Sequence, residues 1–272
     1  MTTTAPAAPL STLASPLGPL RTLSDWRYIT HRNLIRLVRN PEKLLMNIVM
    51  TVMFVLLFRY VFGGAIATPN GSYVDFLIPG IIVQSAVFIS ASTSMALAED
   101  LNTGIIDRFR AMPIARSAVL AGRLASDTVE NAIIVSITAA VGFAVGWRLD
   151  TSPLHLLALL GMSLLIGVAL ASVGAYVAFL LKKPAIVQSF GTIWMFPATF
   201  ISGVFIPVET MPSWLEPVAA ANPVTIWAEV LRDLTIGDGS PEAGDLAASF
   251  AWVAGLVVVF GLLAVRAYRR IE

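Results

Sequence analysis

Few side chains in this sequence could do covalent or proton chemistry, and their spacing excludes most of it. The only lysines are Lys43, Lys182 and Lys183, and none closes a glycine-rich loop. A phosphate-binding loop needs glycines whose backbone N–H groups cradle phosphates and a lysine that reaches them, so ATP hydrolysis by that route is excluded. No Gly-x-Ser-x-Gly turn exposes a nucleophile and no His-Glu-x-x-His pair could hold zinc. With no cysteine, disulfides, thiol catalysis and thiolate metal sites are also excluded. His31 and His155 stand far apart, which argues against a histidine metal site. The ionisable and glutamine side chains that stand out in the apolar runs are Arg59, Gln84, Asp127, Glu130 and Gln188. Arg59 sits near the end of its run, where it can snorkel to water. Asp127 and Glu130 sit near the start of theirs, in either a structural or a transport role. The two glutamines are expected to bond between helices.

One segment has the chemistry of a binding surface. Between Ala98 and Arg116, Leu101, Ile105, Phe109 and Met112 recur at helical spacing and form one apolar stripe. Glu99, Asp100, Asn102, Thr103, Asp107, Arg108 and Arg110 occupy the remainder, and Pro113 ends the pattern. The spacing predicts an amphipathic helix over about 99–112. It would fit a groove on a soluble partner, or lie on lipid, since both bury the same stripe.

The elements that position this segment are apolar runs of membrane-crossing length. The chain is 57% hydrophobic and only 13% charged, against about 25% charged in soluble domains. A helix needs about 20 apolar residues to cross a bilayer. Six runs qualify, near 44–62, 76–97, 125–147, 154–181, 185–206 and 246–265, with Pro197 as a kink in the fifth. If the first exits outward, 15 of the 18 basic residues fall on one side. Basic residues stay cytoplasmic during insertion, so both termini are expected inside.

Two flanking segments complete the plan. Residues 1–23, with Pro6, Pro9, Pro16 and Pro19, read as a disordered cytoplasmic tail, and residues 24–272 as the membrane domain. Ser24 can cap a helix that Pro41 stops. On it Trp26, Thr30, Leu34 and Leu37 share one face, with Arg32, Arg36 and Arg39 opposite, which predicts an interfacial helix with its arginines toward lipid phosphate. Residues 207–237 are too apolar for a solvated loop and too broken for one span. Pro212 is expected to start one short helix through Ala221. Asn222 and Pro223 start a second, ending near Gly237. The pair could dip into the outer leaflet or lie flat on it.

With these elements in order, the fragment Asp107-Arg108-Phe109-Arg110-Ala111-Met112-Pro113-Ile114, followed by Arg116 and Gly122-Arg123, resembles the cytoplasmic loop of type-2 ABC exporter permeases, in particular the bacterial daunorubicin/doxorubicin-resistance permeases. Phe62-Gly63-Gly64, Pro79-Gly80-Ile81, the run Phe200 to Pro207, Met211-Pro212-Ser213-Trp214 and Asn222-Pro223-Val224 are similar to that group and in the same order. The resemblance implies an all-α, six-span membrane protein of the bacterial inner membrane. It implies that Asp100, Leu101, Gly104, Ile105, Asp107, Arg108, Phe109, Arg110, Met112 and Pro113 form a coupling helix on a separate ABC ATPase. Trp26, Arg32, Arg36 and Arg39 would belong to a connecting helix that also touches the ATPase, and 207–237 to an outer re-entrant pair. It implies two ATPases that bind ATP and Mg, and a second permease, either a copy or a paralogue. No cofactor is expected on this chain. Phe54, Phe58, Phe88, Met195, Phe196 and Phe200 are candidate walls of a substrate path, each of which could equally face lipid or the bundle core. The implied cargo is a drug, lipid or other amphipathic molecule. A polysaccharide or glycolipid is the alternative within the family, and an ATPase-independent carrier or a membrane scaffold outside it.

Overall fold

The computed structural model describes residues 19–66, 72–106, 108, 116–149, 151–236 and 239–270, with the side chains of 19–23 and 116–117 excepted. The described elements are all helical. In order they are α1 (Pro19–Arg39), α2 (Glu42–Leu57) with a π-helical turn (Phe58–Phe62), α3 (Tyr73–Asn102), α4 (Arg116–Ala144), α5 (Pro153–Leu181), α6 (Pro184–Phe200), α7 (Glu216–Ala220), α8 (Pro223–Asp233) and α9 (Ala243–Arg269).

Five of these are long and apolar enough to cross a membrane: Glu42–Phe62, Tyr73–Asn102, Ala118–Ala144, Pro153–Leu181 and Ala243–Arg269. The run expected as a span over 185–206 is helical only over Pro184–Phe200, 17 residues. At about 1.5 Å per residue that is roughly 26 Å, short of a ~30 Å hydrocarbon core. Pro197 lacks an N–H, and Ile201 leaves helical geometry at φ −93°, ψ 56°, while its N–H still bonds the Pro197 carbonyl.

The long helices α2 to α5 alternate in direction, and α9 runs parallel to α5. Lys43 at the start of α2 pairs with Glu99 at the end of α3 (2.8 Å). The Arg148 N–H after α4 donates to Asp75 at the start of α3 (3.2 Å). Phe179 and Tyr268 bring the ends of α5 and α9 together, 5.6 Å apart. One end of the bundle therefore gathers α1 and the basic residues flanking α2, α4, α5 and α9, and is called the basic end below.

Helix α3 is the axis of the bundle. Its apolar window is 83% buried, against 17% for α2 and α9, which lie at the periphery. Ser90 and Ser94 let it approach α5, donating to the carbonyls of Leu170 (2.7 Å) and Gly174 (2.9 Å). Small hydroxylated residues drive helix association where no hydrophobic gradient exists. Ser94→Ala is therefore expected to lower stability only slightly, by about 0.6 kcal/mol, read as a shift of under ~3 °C in the thermal midpoint of the detergent-purified chain.

The N-terminal helix already covers Pro19 to Leu23, ahead of Ser24 and inside the stretch 1–23 expected as a disordered tail. Its buried face also differs from expectation. Ile29 and Asn33 are buried, while Trp26 stays 38% exposed. Asn33 donates to the Gly122 carbonyl (3.2 Å). A Cβ on Gly122 would sit 2.6 Å from the Ile29 side chain, so this glycine permits α1 to lie against α4. Packing on protein, not lipid, sets the helix phase.

The segment after α6 is folded onto the bundle. Asn222 caps α8 by accepting from the Val224 N–H (3.0 Å), and its amide donates to the carbonyls of Ala198 (2.9 Å) and Ile201 (2.7 Å). Trp227 is fully buried and donates to the Ser249 carbonyl at 3.4 Å. Irregular backbone at membrane depth requires such protein cover. The first short helix is only Glu216–Ala220, not the expected 212–221, and Trp214 is 73% exposed. The second ends at Asp233, before Gly237.

Candidate functional site

At the basic end the expected helix over 99–112 is not continuous. Asn102 closes α3, Thr103 caps it, and Gly104 takes φ +70°. That left-handed conformation costs glycine nothing and is the usual stop for a helix. The chain then becomes helical again, with the Arg108 N–H bonded to the Gly104 carbonyl (3.2 Å). The break rotates the apolar stripe. Ile106, outside the expected stripe, is 1% exposed in a cluster with Ile29, Leu97 and Phe179, and Leu101 and Ile105 pack on its edge. Arg108 is exposed. Asp107, Phe109, Arg110, Met112 and Pro113 lie outside the described residues.

Asp100, expected among the free polar residues of this segment, is instead buried (8% exposed) against α1. It accepts from Arg36 Nη1 at 2.7 Å and from Arg32 Nη2 at 3.4 Å. Arg32 and Arg36 therefore grip the end of α3 rather than lipid phosphate. Arg39 and Trp26 remain exposed. A step deeper, Arg123 holds Asp127 through two bonds, Nη2 to Oδ1 at 2.8 Å and Nε to Oδ2 at 3.1 Å, and Thr93 donates to the same carboxylate (2.7 Å). Two-pronged pairs of this kind are the strongest and most directional. Helices α1 and α3 are thus joined by charge, while α4, within which the Arg123–Asp127 pair lies, is held to α3 by the Thr93 hydroxyl and to α1 by the Asn33 amide. Gln84 is buried with no partner for its Nε2, and Gln188 is exposed, so neither amide makes the expected interhelical bond among the described residues.

Five of the six candidate path residues come together as one chain of rings. Phe88 meets Phe54 (6.0 Å between centroids), and Phe54 meets Phe58 (6.1 Å). Phe205 is the hub, 4.1 Å from Phe58, 5.8 Å from Phe54 and 5.2 Å from Phe200. Phe200 continues to Phe196 at 5.7 Å. The sixth candidate, Met195, packs on the main core without joining the rings. The π-helical turn brings Phe58 within 5.2 Å of Phe62, adding a ring outside the six path candidates. The ladder runs from buried Phe205 and Phe58 to Phe196 and Phe200, which are 51% and 47% exposed on a bare face of α6.

Arg232 holds the hub in place. It is buried in α8 and donates to the carbonyls of Phe76 (2.9 Å), Gly203 (2.6 Å) and Val204 (3.1 Å). Its guanidinium lies 3.5 Å over the Phe76 ring. Burial pushes its pKa down to about 10, so it stays cationic at neutral pH. Sequence counting placed Arg232 only as one of the few basic residues away from the basic end. Neither periodicity nor spacing marked it, or Phe205, as functional.

The family model described as ABC-2 type transporter matches residues 24–235. Among curated proteins, the daunorubicin resistance ABC transporter permease protein DrrB1 of Streptomyces coeruleorubidus is 30% identical over 253 residues, covering 92% of this chain and 89% of its own length. The probable doxorubicin resistance ABC transporter permease protein DrrC of Mycobacterium tuberculosis is 22% identical over 242 residues, covering 89% and 87%. The probable multidrug ABC transporter permease YbhR of Escherichia coli is 25% identical over 177 residues, covering 63% of this chain and 46% of its own. The matched region takes in the charge-tied basic end, the ring ladder and Arg232, and together with the five apolar helices it places this multi-pass membrane protein in the ABC-2 type transporter family.

Proposed function

We propose that the chain is the membrane-embedded permease of an ATP-driven exporter that carries apolar or amphipathic small molecules out of the cytoplasm or inner leaflet. In this reading α6 completes a sixth pass with its irregular extension, the basic end faces the cytoplasm, and both termini lie there. Two separate ABC ATPase subunits bind ATP and Mg. A second permease, a copy or a paralogue, covers the bare face of α6.

The observation that carries the reading is the union of α1 and α3 through Asp100. A soluble engine can move a membrane bundle only if its docking segment is rigidly joined to the spans. The turn after Gly104 is the docking segment, and Arg32 and Arg36 fasten its root to the interfacial helix. ATP closes the engines, the docked turns move with them, and α1, α3 and α4 shift as a rigid body. The ring ladder gives the moving bundle an apolar wall that reaches the permease–permease face. The names of the relatives, resistance permeases for daunorubicin and doxorubicin, support a hydrophobic cargo.

Phe109→Asp tests the docking. A carboxylate in the apolar grip is expected to reduce co-purification with the cognate ATPase at least about tenfold, as for a buried interface anchor. ATP-driven accumulation of an apolar dye in proteoliposomes should fall with it, while membrane insertion is unchanged. Undiminished co-purification, or dye transport driven by an ion gradient with no ATPase present, overturns the reading.

A further inference from the structure

A cavity of about 470 Å³ opens at the basic end, between α1, the α1–α2 elbow, the end of α3 and the start of α4. Its wall carries more acid than base. Arg36 is taken by Asp100, Lys43 by Glu99, and Arg123 by Asp127. Glu42 is exposed at the rim. Glu130 is different. It is only 5% exposed, it forms part of the cavity wall, and no cation pairs with it among the described residues. Among the described residues its one side-chain hydrogen bond comes from the Asn47 amide, 2.8 Å from Oε1. The other carboxylate oxygen has no donor among the described residues.

A buried carboxylate without a cation is costly, and structures that keep one supply a proton or a positive charge. The space beside Glu130 is large enough for the second. It also continues toward an apolar mouth. A neighbouring hollow of about 340 Å³ shares Glu42, Lys43 and Ser92 with the cavity and adds Met46, Asn47 and Met95. Asn47 bridges the two spaces, since it lines the hollow and holds Glu130 of the cavity. Methionine suits varied apolar shapes because its side chain is unbranched and polarizable.

We infer that this cavity is a loading site for organic cations, in which Glu130 takes the positive group of an amphiphilic molecule while its apolar body lies on Met46 and Met95. The inference rests on the exporter reading and narrows its cargo to molecules with one positive group and an apolar body. Pairing a carboxylate with an organic cation out of water favours charge over shape, so a neutral molecule of the same outline binds the methionines but gains nothing from Glu130.

The test uses the purified full-length chain in nanodiscs, without ATPase, and equilibrium dialysis of tetraphenylphosphonium against neutral triphenylphosphine oxide. Glu130→Gln keeps the shape and an acceptor for Asn47 but removes the charge. It is expected to weaken tetraphenylphosphonium binding at least about tenfold and leave the phosphine oxide unchanged. Wild-type affinity for the cation in this variant, or equal loss of both probes, overturns the loading site. Should the variant not fold, the wild-type chain decides. Tetraphenylphosphonium is expected to raise its thermal midpoint more than the phosphine oxide does, and equal shifts overturn the proposal. Transport is measured separately. ATP-driven transport that survives alongside unaltered cation binding in Glu130→Gln removes the loading site alone. Charge-dependent binding with no ATP-driven transport in the assembled complex removes the exporter reading.

Discussion

Arg232→Met is expected to destabilise the folded bundle severely, the largest effect of any single substitution considered. The methionine fills similar volume but donates nothing, so the carbonyls of Phe76, Gly203 and Val204 lose the Arg232 bonds together. Gly203 and Val204 lie in the non-helical stretch after α6, where no described backbone N–H bonds either carbonyl. An orphaned buried carbonyl costs about 1–3 kcal/mol, and hydrogen bonds from a charged donor are worth about 1.5–3 kcal/mol each. The loss should exceed about 3 kcal/mol, a large part of the 5–15 kcal/mol that holds an ordinary domain together. Arg232→Lys should retain part of it, because an ammonium is a compact donor that cannot reproduce the fork and the stack on Phe76. Size-exclusion profiles and thermal midpoints of the detergent-purified variants check the order wild type, Lys, Met. A monodisperse Arg232→Met chain with an unchanged midpoint would mean that the guanidinium bonds are replaceable and that other contacts fix the segment after α6.

No local pattern marks Arg232 in the sequence. It is one residue from Asp233 and three from Glu229, on a short helix with an evident polar edge. Charge counting treats such an arginine as solvated. Its role arises from three carbonyls on two other elements, one of them 156 positions away. No local pattern encodes that. The start of the same helix was legible, because an N-cap and a first-turn proline act within three residues of each other: Asn222 and Pro223 sit where the spacing put them. Apolar runs of spanning length were legible for the same reason, and five of the six are helices of that length. The run over 185–206 is helical only through Phe200, because whether Pro197 kinks or stops a helix depends on what receives the freed backbone.

The basic end shows a second kind of illegibility. Periodicity extended one helix from Glu99 to Met112, whereas Asn102-Thr103-Gly104 is a helix stop whose turn shifts the buried side chain from Ile105 to Ile106. Gly104 is the visible signal of that stop. The burial of Ile29 and Asn33 in place of Trp26 and Leu34 had no local signal, because it follows from the approach that Gly122 permits 89 positions later. The six candidate path phenylalanines and methionine were chosen for type alone. The link between the rings of Phe54, Phe58 and Phe88 and those of Phe196 and Phe200 depends on Phe205, which sits in an irregular stretch where no period can assign a face. Long-range closure, and not propensity, decides each of these cases.

If α1 and α3 transmit the engine's motion through one carboxylate, breaking that tie should separate ATP hydrolysis from transport without unfolding the chain. Asp100→Asn keeps the outline and an acceptor but removes the charge that Arg36 and Arg32 share. The tie is partly open to water, with Arg36 40% and Asp100 11% exposed as side chains, so its worth to stability is modest, about 1 kcal/mol after screening. Its effect on function should be larger, because a joint that flexes loses the motion passed through it. In the reconstituted complex, Asp100→Asn is expected to leave ATP hydrolysis within about twofold of wild type and to lower dye transported per ATP about tenfold, the size of a coupling free energy near 1.4 kcal/mol. Exchanging the charges, Asp100→Arg with Arg36→Asp, should recover much of the lost transport, whereas either change alone should not. The interaction term of that double-mutant cycle is the decisive quantity, since it isolates the pair from what each residue does elsewhere. A term near zero with normal transport in Asp100→Asn would place the joint at another contact. The remaining candidate is the packing of Ile29 against Gly122, which links α1 to α4 without charge and would leave transport insensitive to salt.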